Sequence, residues 1–275
     1  MSVEIDGLPV REIGNDAFSG CNTERVRNKM PNILNRVAIA GADEAVEPEV
    51  LAALSEEFPF VEWSILFAGE PEPLKRFPSE KWIERLAEIS RKRKTPLRLS
   101  LHLCGRAVGD LILGNLRWFY AHQELLRSFQ RVQLNVMFKK YESELPSLAK
   151  RIRRLPPMQV IVQLNGKEIN QNVGDTLFSQ GIDTVYLFDQ SGGAGKTVES
   201  WRPPVVHPGG TPLCGYAGGL TPENLRENLD KISHVCGCVP FWADLESGVR
   251  NASDDSFNLL RVRQVLEIAK SWIHY

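Results

Sequence analysis

The chain lacks several features that would narrow its class at once. Across its 275 residues no run approaches eighteen apolar residues, so no membrane-spanning helix is expected. Neither sign of charge dominates. The 33 Lys and Arg face 34 Asp and Glu, a formal net charge of −1, so no bulk field draws nucleic acid or an anionic membrane. The opening stretch MSVEIDGLPVREIGND lacks the basic-then-apolar pattern of a secretion signal. Cysteine is sparse, odd in number and scattered: Cys21, Cys104, Cys214, Cys236 and Cys238. Reduced thiols in a cytoplasmic protein are the expectation. The CGC at 236–238 is tighter than the two-residue spacing of a metal pair, and no partner pair lies nearby, so no metal is expected. No low-complexity tract and no interdomain linker is visible.

What is present is an apolar content of 43%, enough for one large core, arranged in two alternating periods. Strand-like runs are RVAIAG (36–41), WSILFA (63–68), LRLSLHLC (97–104), RVQLNV (131–136), QVIVQLN (159–165), TVYLFD (184–189), LCGYAGG (213–219) and FWADLESG (241–248). Most are apolar nearly throughout, as in strands buried on both faces. Helical stretches separate them. Residues 78–94 carry Trp82, Leu86 and Ile89 on one face behind Ser79 as N-cap. Residues 221–235 offer Thr221 as cap and Pro222 at the first helical position. Residues 256–273 repeat the amphipathic pattern, and 142–155 form a fair helix with a proline near the start. Eight strands alternating with helices predict a (β/α)8 TIM barrel over 36–275, with residues 1–35 as an N-terminal arm that covers the barrel floor or packs on another subunit. The rival, a doubly wound sheet, places its glycine fingerprint after the first strand. Here the glycines gather after the sixth, seventh and eighth.

Those late glycines suit a phosphate. A dianion needs several converging backbone N–H groups, and glycine permits the close approach and positive φ of an anion nest. Gly192, Gly193 and Gly195, then Gly218 and Gly219, then Ser247 and Gly248 each follow a strand, and loops seven and eight share one rim of a barrel. The bland reading is three tight strand-to-helix turns. A nucleotide P-loop is not expected, because Gln190 stands where G-x-x-x-x-G-K-[ST] requires its first glycine.

Three ordered motifs in the C-terminal third resemble the phosphoribosylanthranilate isomerase family: LFD (187–189) with GGAGKT (192–197) and VESW (198–201), GGLTPEN (218–224), and ADLESGVR (243–250). RPPVVHPGGTPLCGY (202–216) lies between the first two. The resemblance implies a TIM barrel that isomerises a phosphorylated aminoaldose by an Amadori rearrangement, with Asp189 as the acid. It also implies Arg76, in LKRFPS (74–79), as a carboxylate-binding residue. Where the family has its base cysteine, AIAG (38–41) places Ala40.

Three readings follow. One is an isomerase or related lyase acting on a small phosphorylated metabolite, altered in substrate. Another is a barrel that keeps a phosphate pocket without catalysis, as a sensor or assembly partner. The third is the family's own reaction with a relocated base. Cys104 ends the third strand, which lies three steps from the sixth, as the first does on the other side, so it is the candidate replacement; a small buried hydrophobe is its plainer role. His102 is a base or a satisfied core imidazole. Asp244 contacts a sugar hydroxyl or fixes a turn. Glu246 would repel a phosphate unless it points away. No cofactor is called for, and a homodimer is compatible with the arm.

Overall fold

The computed structural model describes residues 33–69, 75–189, 198 and 200–273. Eight parallel strands close into a barrel in sequence order: β1 (Leu34–Ala40), β2 (Val61–Phe67), β3 (Arg98–Leu103), β4 (Arg131–Leu134), β5 (Gln159–Leu164), β6 (Thr184–Asp189), β7 (Cys214–Ala217) and β8 (Phe241–Leu245). The ring is closed by β1 pairing with β8 through Ala38↔Asp244 and Ile39↔Leu245. Each expected strand is present, within a few residues of its predicted ends. The first begins at Leu34, inside the stretch read as an arm; residues 1–32 lie outside the described residues.

Helices cover the barrel: α1 (Pro48–Glu57), α2 (Glu80–Lys92), α3 (Gly105–Leu113), α4 (Arg117–Ala121), α5 (Gln123–Leu126), α6 (Leu148–Ile152), α7 (Glu168–Ser179), α8 (Leu225–Cys236) and α9 (Leu259–Ala269). In α2, Ser79 is the cap, accepting from the Trp82 amide at 3.3 Å. Two predicted helices differ. The segment 142–155 is a 3-10 stretch, Phe138–Ser147, followed by the short α6. Pro146 supplies no N–H and disfavours the α conformation before it, so the helix is delayed past it. The helix predicted from Thr221 starts at Leu225 instead. Asn224 is the reason: its Oδ1 accepts from the Thr221 amide at 2.8 Å and its Nδ2 donates to the Gly219 carbonyl at 2.8 Å. That side chain closes a turn in competition with the first helical turn.

Strand alternation divides the packing in two. One set of side chains packs outward under the helices and forms the large core. The other points into the barrel. There an apolar cluster of Ala38, Ile161, Val185, Leu187, Ala217 and Trp242 occupies one side. The other side is polar. Glu62, fully buried, receives Arg36 at 2.6 Å and Arg131 at 3.0 Å, and Arg131 lies over the Trp242 ring at 4.0 Å. Burial pushes the Glu62 carboxyl up, but the two guanidiniums outweigh it and hold it below the usual range. Gly215 makes room for Trp242: a Cβ there would sit 2.0 Å from the indole. Cys104, Cys214 and Cys236 are free thiols, whereas Cys238 is disulfide-bonded, which corrects the expectation of reduced thiols throughout. Among the described residues no helix is long and apolar enough to cross a membrane.

Candidate active site at the barrel mouth

A cavity of about 690 Å³ opens at the C-terminal ends of the strands. Its wall brings together Cys104, Asp189, Asp244, the Gly218–Gly219 pair and Ser247–Gly248. The alternation that turns Val185 and Leu187 inward also turns Asp189 into the mouth, and likewise turns Asp244 in behind Trp242. Gly192, Gly193 and Gly195 lie outside the described residues.

The two described glycine loops are built as close approaches. Gly218 and Gly219 have φ of 116° and 65°, in the region that favours glycine. A Cβ on Gly248 would lie 1.8 Å from the Leu220 carbonyl oxygen, so loops seven and eight touch at backbone level there. Their outward carbonyls are engaged: Gly219 O accepts from Asn224 and Gly248 O from Arg261 Nε at 2.9 Å.

The two carboxyls differ. Asp189 accepts from Gln163 Nε2 at 2.6 Å. Asp244 Oδ2 is buried with no hydrogen-bond partner. Burial, then the Glu62 carboxylate, pushes the Asp244 carboxyl up to about 8 against the pull of Arg131, with Glu246 and Asp189 adding to the rise. Asp244 is therefore a neutral acid at pH 7.

Cys104 lines the cavity as a thiol. Burial pushes it up to about 11, against a hydrogen bond from Asn135 Nδ2 at 3.3 Å. A group so protonated is a poor base at neutral pH. His102 is pressed down to about 3 by burial, so its imidazole is neutral and weakly basic. Ala40, at the end of β1, is buried and offers no functional group.

Arg76 is absent from the cavity wall. Its guanidinium is spent on the chain's own carboxylates: Asp255 at 2.7 and 2.9 Å and Glu246 at 2.5 Å. Both ion pairs raise its pKa further. The same contact answers the objection to Glu246, whose negative charge beside the glycine loop is paired with Arg76.

Carboxamides, which no motif above includes, furnish much of the wall. Gln133, Asn135, Gln163 and Asn165 line the cavity from β4 and β5. The signal was there: Gln-Leu-Asn ends both strands, at 133–135 and 163–165, and its period of two sends both amides inward. Lys167 is the one Lys or Arg among the described lining residues.

No family model matches the chain, and no curated protein does. Solved structures similar to it include TrpF from Jonesia denitrificans, at 15% identity and a TM-score of 0.49 over 86% of this chain and 97% of that one. Another is the monomeric form of dimeric phosphoribosylanthranilate isomerase from Thermotoga maritima, at 17% and 0.49 over 86% and 99%. A GH113 β-1,4-mannanase complex is similar at 10% and 0.44 over 87% and 98%. The site has to be argued from its own residues.

Proposed function

We propose that the mouth binds a small phosphorylated sugar and interconverts its aldose and ketose forms by acid–base chemistry. The phosphate sits on the amides of Gly218–Gly219 and Ser247–Gly248, where the closely packed loops supply donors. Asp244, rather than Asp189, gives its proton to the ring oxygen as the C–O bond opens. The anomeric hydroxyl proton passes to solvent, which leaves the open-chain aldehyde. The Asp189 carboxylate, oriented by Gln163, then takes the C2 proton while solvent protonates the carbonyl oxygen, and the enediol gives its C2-hydroxyl proton to solvent as Asp189 returns the proton to C1, forming the ketose. Two carboxyls in one cavity with one kept neutral is the arrangement such chemistry needs. The observation that carries this reading is the buried, unpartnered carboxyl of Asp244 facing the same cavity as the glycine loops.

The competing reading, a phosphate-ligand binder without catalysis, is favoured by two specific features. Ala40 stands where the resembled family has its base, and the Cys104 thiol is held protonated. Binding of ribose 5-phosphate by calorimetry, followed by NMR of the mixture over time, separates the two. Conversion lost in Asp244→Asn supports the enzyme. Binding without conversion supports the binder. Absence of binding by any sugar phosphate contradicts both.

A further inference from the structure

At the bottom of the mouth three side-chain atoms are buried without a hydrogen-bond partner: His102 Nε2, Gln133 Oε1 and Asp244 Oδ2. Their residues are 3%, 4% and 8% exposed, and all three line the cavity. Buried polar atoms left unpaired cost stability, and a folded chain keeps few of them. Three converging on one cavity call for a shared partner.

Gln133 is also held in one orientation. The Cys104 thiol donates to the His102 carbonyl at 3.6 Å and accepts from Asn135 Nδ2 at 3.3 Å. Asn135 Oδ1 in turn accepts from Gln133 Nε2 at 2.5 Å. The relay consumes the donor end of the Gln133 amide and leaves its oxygen as the free end. His102 and Gln133 are paired neighbours on β3 and β4, so their side chains leave the sheet from adjacent positions on the same face.

The set carries no net charge of its own: a carboxamide oxygen, a neutral imidazole and a carboxyl. A carboxylate ligand would meet the Gln133 oxygen, an acceptor with no proton to give. An ammonium would enter a barrel whose next layer down already holds Arg131. Hydroxyls, each both donor and acceptor, match.

We infer that His102, Gln133 and Asp244 form a hydroxyl-reading floor for the polyol part of the ligand, with Asn135 and Cys104 as positioning residues that fix the Gln133 amide. Cys104 thus acts through a hydrogen bond, not as a base. The floor deepens the sugar-phosphate reading but does not need its phosphate arm.

The test compares ribose 5-phosphate, 2-deoxyribose 5-phosphate and inorganic phosphate by calorimetry on the intact chain and on Gln133→Met and Asn135→Leu, with melting curves to confirm folding. The parent is expected to bind the ribose ester roughly tenfold more tightly than either probe, the cost of leaving a buried partner unpaired. Gln133→Met should erase the preference while phosphate affinity stays, and Asn135→Leu should reduce it. Equal binding of all three by the parent overturns the floor and leaves the phosphate reading standing. If no phosphorylated probe binds, ribitol decides. Ribitol line broadening by the parent that is lost in Gln133→Met upholds the floor alone, and its absence overturns the floor too. Should both variants unfold, the parent's ribose-to-deoxyribose ratio is the deciding result.

Discussion

At the scale of single residues, Asp244 carries the proposed acid role and Cys104 carries none. Asp244→Asn is expected to lower turnover at saturating substrate roughly 10²–10⁴-fold, the usual contribution of one positioned acid. Turnover in the parent should fall as pH rises through about 8, where the Asp244 proton leaves. Cys104, held up to about 11, should react slowly with iodoacetamide at pH 7.5; peptide mass spectrometry showing rapid alkylation there would contradict a thiol held protonated. The sequence placed both residues at strand ends, where barrel chemistry resides, but not their roles. Those depend on what lies across the barrel. Burial keeps the proton on Asp244, helped by Glu62 from β2 and opposed by Arg131 from β4, and Asn135, just past β4, donates to the sulfur of Cys104. Arg76 shows the same limit. Its partners Glu246 and Asp255 are about 170 and 179 positions away, too distant for any local pattern to reveal.

At the scale of elements, the βα loops hold the phosphate argument. Gly248→Ala forces a Cβ onto the Leu220 carbonyl oxygen, so loop eight must move away from loop seven. Weakened phosphate binding with a destabilisation of about 1–3 kcal/mol is expected, measured by calorimetry and chemical unfolding. Ser79→Ala, which is not among the residues lining the cavity, should cost about 1 kcal/mol as a lost cap and leave binding unchanged. Strands were legible because each is a short apolar run bounded by turn residues. The start of α8 was not, because Asn224 competes with the helix through a side-chain hydrogen bond that composition does not display.

At the scale of the whole molecule, closure of the ring stacks charge in the barrel interior. Glu62, Arg36 and Arg131 form one layer, and Asp244 lies in the next. Their effects on stability run in opposite directions with pH. Glu62 titrates below its usual range, so its contribution is present at neutral pH and lost as pH falls. Asp244 is raised from 3.8 to about 8: the unfolded chain releases this proton from about pH 4 upward, while the folded chain keeps it. Its contribution is full below pH 4 and declines until pH 8. Urea unfolding at pH 5 and pH 8 should show a smaller difference for Asp244→Asn than for the parent, and an unchanged difference would contradict a neutral buried carboxyl. Glu62→Ala strands two guanidiniums and should cost about 3–5 kcal/mol.

The most direct test of a phosphate-binding acid–base mouth is a crystal structure with ribose 5-phosphate bound. The phosphorus is expected over the amides of Gly218–Gly219 and Ser247–Gly248, with the sugar reaching Asp244. A phosphate bound elsewhere, or a sugar turned away from that carboxyl, would contradict it.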